Sequence, residues 1–141
     1  MLDKIAKALQ DASEEVKKQT LNLGEGAKER TEKILDEWLQ IFPKLEIYGL
    51  RITSFSLGVA ISPSVEVELV GDHEDFKTER LQGIIDANKG SAAITTVLTT
   101  IKTAYALHRR TYAELREPLI VKIKIKLSPE VRVFIGQPFV V

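Results

Sequence analysis

Apolar residues recur every three or four positions from the start of the chain, at Leu2, Ile5, Leu9, Ala12 and Val16. Such a heptad-like stripe predicts helix. It runs on through Thr20, Leu23, Ala27, Thr31, Ile34, Trp38 and Ile41, slipping register where two steps of four occur, Val16 to Thr20 and Ala27 to Thr31. Gly24 and Gly26 lie between those steps, and each glycine costs a helix about 1 kcal/mol relative to alanine. The reading is therefore a bent helix or a helical hairpin over residues 1–42, with Gly24 as a left-handed cap. Pro43 is expected to end it, because the residue before a proline is pushed out of the helical region.

The period then changes from 3.6 to 2. Tyr48, Leu50 and Ile52 alternate in one phase, and Phe55, Leu57, Val59 and Ile61 in the other. Strand is expected over residues 44–70, with a bulge or turn near Thr53-Ser54 where the phase flips. Ser62-Pro63-Ser64 turns the chain, and Val65, Val67 and Leu69 return with Glu66 and Glu68 on the opposite face. Asp72 is placed to cap a helix running to about Asn88. Ser91 caps a second, expected to reach Arg116 and to carry the stripe Ile94, Leu98, Ile101, Tyr105, His108, Tyr112 and Leu115. That helix would be about 39 Å long, enough to cross a sheet. After Pro118, Val121, Ile123, Ile125 and Leu127 alternate with Lys122, Lys124 and Lys126, and Val131, Val133 and Ile135 follow a Ser-Pro turn.

The two Ser-Pro hairpins echo each other. Ile61-Ser-Pro-Ser-Val65-Glu-Val67 matches Leu127-Ser-Pro-Glu-Val131-Arg-Val133 at an offset of 66. Each follows a long helix, so a helix–hairpin pseudo-repeat is one explanation and independent turns the other. The fold class is α+β. An antiparallel sheet of four to five strands is covered on one face by long helices, in a ββ-αα-ββ core over residues 43–141.

Composition narrows the chemistry. With 141 residues, 44% apolar and 28% charged, the chain can bury a core. It has no cysteine, which removes thiolate metal sites, disulfides and cysteine nucleophiles and fits a cytoplasmic setting. Net charge is zero, but residues 1–90 hold 12 basic and 17 acidic residues and residues 91–141 hold 8 and 3. The two halves can attract each other within one fold or between copies. The first seven residues carry no signal-peptide stretch, and no apolar run is long enough to span a membrane. Residues 1–42 hold 7 basic and 9 acidic residues, unlike the basic helices that lie on membranes, so a membrane surface is not expected as a partner.

No phosphate-binding loop, zinc-protease motif or nucleophile elbow occurs, and no cofactor is expected. Asp72-His73-Glu74-Asp75 holds ligand-type residues, but consecutive residues at a helix start point apart, and a solvated helix start is the plainer reading. Tyr105, His108, Arg109 and Tyr112 form the most promising patch, with one helical face carrying the two tyrosines and the histidine. It could hold an anion or the polar head of a ligand; the plainer reading is hydrogen bonding at the edge of the core. Thr95, Thr96, Thr99, Thr100 and Thr103 crowd the same helix, suiting a helix–helix contact, a cavity wall or a bland surface. The Lys-Ile-Lys-Ile-Lys strand lacks interleaved aromatics, so no nucleic acid is expected, and its lysines suit the protection of a sheet edge.

Two functions follow from these residues. One is a non-enzymatic assembly or partner-binding module, a homo-oligomer or a binder of a helical protein, associating through amphipathic helices. The alternative is a binding protein for an apolar or amphipathic small ligand held between helix and sheet. An enzyme using His73 or His108 is a third, weaker reading.

Overall fold

A computed structural model describes residues 25–59 and 64–138. The stripe from Leu2 to Leu23, Gly24 and the Ser62-Pro63 turn lie outside the described residues.

Helix α1 (Glu25–Leu39) buries Leu35, Trp38 and Leu39, a three-and-four spacing on one face. The chain turns at Gln40-Ile41 and at once forms α2 (Phe42–Tyr48). Pro43, expected to stop the first helix, instead sits in the first turn of the second. Its fixed φ suits that position and its missing N–H costs nothing there. The strand expected from residue 44 is therefore a helix up to Tyr48. Gly49, at φ 118°, closes α2 in a left-handed cap. The Gly49 N–H donates to the Glu46 carbonyl (3.1 Å) and the Leu50 N–H to the Leu45 carbonyl (2.9 Å). Leu45 and Leu50 are both fully buried, the apolar contact that accompanies such a cap.

Strand β1 (Arg51–Gly58) pairs antiparallel with β2 (Ser64–Gly71), and the phase flip at Thr53 is a β-bulge between Ile52 and Ser54. The Thr53 hydroxyl bonds the Glu68 carboxylate at 2.9 Å. A 3₁₀ turn (His73–Phe76) and α3 (Thr78–Ala87) replace the single helix expected from Asp72, whose side chain makes no cap bond. Ser91 does cap α4 (Ala92–Arg109), accepting from the Ile94 N–H at 3.3 Å. That helix ends seven residues before Arg116. Its last turn tightens through Arg110 N–H to Leu107 O and Thr111 N–H to His108 O, and the Thr111 hydroxyl takes the same His108 carbonyl at 2.7 Å. Strands β3 (Leu119–Ile125) and β4 (Glu130–Ile135) complete the chain.

The strands form one antiparallel sheet in the order β1-β2-β3-β4. The lysine-rich strand is β3, which lies inside the sheet and not at its edge. Register sorts the side chains into rows. Phe55–Val67–Ile123–Val131 and Ile52–Leu69–Val121–Val133 face inward, into one apolar cluster with the buried residues of the helices. Ser56–Glu66–Lys124–Glu130 and Ser54–Glu68–Lys122–Arg132 face outward. Lys124 and Glu66 approach to 3.7 Å, as do Lys122 and Glu68. Among the described residues, no helix is long and apolar enough to cross a membrane.

Candidate functional site

Three places concentrate polar chemistry or open surface. The first is buried. His73, expected at a solvated helix start, is only 5% exposed. The 3₁₀ turn repeats every three residues and so aims His73 and Phe76 to the same inward side. The His73 Nε2 lies 2.6 Å from the Arg116 carbonyl, and a carbonyl only accepts, so Nε2 carries the proton. In the neutral ring Nδ1 is then an acceptor, and the Tyr105 hydroxyl donates to it at 2.7 Å. The Glu117 carboxylate accepts from the His73 backbone N–H at 3.2 Å. Burial, with the Glu117 charge adding to it, raises the Tyr105 phenol well above its ordinary pKa of 10.0 and holds it neutral. Both ring nitrogens and the phenol are engaged within the protein. The cluster clasps Arg116 and Glu117 to the 3₁₀ turn and α4.

The clasp also redistributes the patch expected on α4. Tyr105 is buried against His73, His108 is half-buried, and Arg109 is exposed at the last helical residue. Tyr112 lies beyond the helix with φ 57° and is 95% exposed. The early end of α4 removes it from the face it was expected to share.

The second place is the outer face of the sheet, where a shallow hollow of about 330 Å³ is bordered by the glutamate and lysine rows, with Ser54, Ser56 and Arg132. Its charges largely answer one another across the strands. Phe134 sits at one end, with the Lys122 ammonium 5.3 Å and the Arg132 guanidinium 5.2 Å from its ring centre.

The third is an open groove of about 540 Å³ between α4 and β4, bordered by the α4 threonines from Thr95 to Thr103, Ala104, Leu107 and Val133. Among the described residues no charged residue borders it. Thr96 and Thr100 donate their hydroxyls to carbonyls of their own helix, Ala92 at 2.8 Å and Thr96 at 2.7 Å, and Thr95 donates to Asn88 at 3.0 Å. Leu107 is 55% exposed at one end. None of Tyr105, His108, Arg109 and Tyr112 borders this groove. Among the described residues no cluster of three histidine or acidic side chains is placed to hold a metal ion.

No protein family model, no curated protein and no solved structure matches this chain.

The sequence reading missed the His73–Tyr105 clasp. Its partners lie 32 and 43 residues apart from His73, and only the inward spacing of His73 and Phe76 signals it. The threonine cluster was visible as composition. Its neighbour Val133 comes from the other end of the fold.

Proposed function

We infer that this protein is an assembly module that self-associates through amphipathic helices, and that the groove along α4 is the surface it uses. The observation that carries this is the lack of charge among the described residues that border the groove, in a chain that is 28% charged. Desolvating charges is costly, whereas three of these threonines already satisfy their donors within their own fold. Small side chains also let two helices approach within the 8–10 Å of ordinary helix packing. The heptad-like apolar stripe from Leu2 to Val16 of another copy supplies the apolar positions such a groove takes.

The same reading treats α1 and α4 as a layer over one face of the sheet and the two hairpins as copies of one helix–hairpin unit, supported by the matching Ser-Pro turns. The cysteine-free composition supports a cytoplasmic setting.

The test is sedimentation of the wild type and of a Thr99→Lys/Thr103→Lys variant. Both positions are exposed, so the fold should survive. The expected result is an oligomer in the wild type and a smaller species in the variant. A variant that sediments as the wild type overturns the assignment of the groove.

A further inference from the structure

We propose that β1 is a strand-addition edge and that its occupant is the β1 strand of a second copy, joining two sheets into one continuous antiparallel sheet. This rests on the self-association reading but uses the opposite side of the molecule from the groove along α4.

An edge strand exposes unpaired N–H and C=O groups, and proteins guard such edges with charge, proline, bulges or a cover. The two edges of this sheet differ in that respect. β4 carries Glu130 and Arg132 on its outer face and is flanked by Pro129 and Pro138. β1 carries one charge, Arg51 at its first position, and no charge or proline from Ile52 to Gly58. Its protections, Arg51 and the bulge at Thr53, come at the start and leave Ser54–Gly58 in regular register. Among the described residues no strand lies on its far side. Its inward residues Phe55 and Leu57 are only partly buried, and Val59 just beyond is 59% exposed.

The choice of a second copy follows from what this chain can offer. β1 itself matches. Antiparallel pairing about Phe55 sets Ser54 against the partner's Ser56, hydroxyl to hydroxyl, with Phe55 on the partner's Phe55. Pairing about Ser56 sets Phe55 against the partner's Leu57. Both registers set Phe55 on an apolar residue and bring no charges together, although pairing about Phe55 sets Leu57 against the partner's Thr53.

The experiment is sedimentation of a Ser54→Lys/Ser56→Lys variant beside the wild type and the Thr99→Lys/Thr103→Lys variant. In the folded chain Ser54 and Ser56 lie opposite Glu68 and Glu66, so the added cations meet carboxylates and the melting temperature should hold or rise. In either register of the added strand at least one new lysine faces a new lysine of the partner. The expected result is a folded variant whose mass falls at least two-fold. Wild-type mass in this variant overturns the proposal. If it keeps that mass while the α4 variant loses it, the groove reading stands and this one falls. A wild type of single-chain mass overturns both.

Discussion

At the scale of single residues, the fold depends on a few positions with no tolerance. Tyr105 is one. Its hydroxyl supplies the proton that the His73 Nδ1 accepts, inside a region where neither group reaches water freely. Tyr105→Phe keeps the ring and removes the donor, leaving a buried acceptor unpaired at a cost of about 1–3 kcal/mol. Urea unfolding at neutral pH measures it. The sign of the pH effect follows from the raised phenol pKa. Above pH 10.0 the unfolded chain releases the proton while the folded chain holds it. Wild-type stability should therefore fall as pH rises past 10, and Tyr105→Phe should remove this residue's part of that slope. Gly49 is a second such position. At φ 118° a side chain is strained, and an added Cβ would lie 3.1 Å from the Asp75 carboxylate. Gly49→Ala should cost more than about 1 kcal/mol, read as a lower unfolding midpoint with an unchanged circular-dichroism spectrum of the folded state.

At the scale of elements, charge placement across the sheet can be tested without touching the core. Glu68 and Lys122 face each other across β2 and β3, 35% and 48% exposed, so solvent screens them and the pair contributes only about 0.2–1 kcal/mol. Glu68→Lys alone should destabilise by about that amount, and adding Lys122→Glu should recover most of it. A swap that recovers nothing would place the effect in the Thr53 bond to Glu68 instead. Period-two alternation made β2, β3 and β4 legible, and the phase flip at Thr53 located the bulge. The charge rows followed from the same alternation. What failed was decided by local groups that periodicity does not weigh. Pro43 can stop a helix or start one, and the buried Leu45–Leu50 contact across Gly49 decided for a start. The helix expected to reach Arg116 stops at Arg109, where Thr111 takes the His108 carbonyl through its N–H and its hydroxyl and the buried apolar face has ended at Tyr105. The strand thought to need edge protection is central, since neighbour order in a sheet depends on contacts far apart in sequence.

At the scale of the whole molecule, one apolar core joins the four described helices and the inner sheet face, while among the described residues two surfaces carry little or no charge. One is the threonine groove on α4 and the other the bare edge of β1. They lie on opposite sides of the sheet, so two-fold contacts at both would extend an assembly where one alone gives a dimer. Of the patch named on α4 from sequence, only Tyr105 has a partner that gives it a role, and that partner, His73, was read as solvated. The α4 threonines were legible as an oddity of composition, but the groove they border depends on β4 lying alongside. The central claim is that copies of this chain bind one another. Native mass spectrometry of gently purified protein, over a dilution series, tests it most directly. The account expects species at whole multiples of 15.8 kDa that fall to one chain on dilution. A single 15.8 kDa species at every concentration would contradict it.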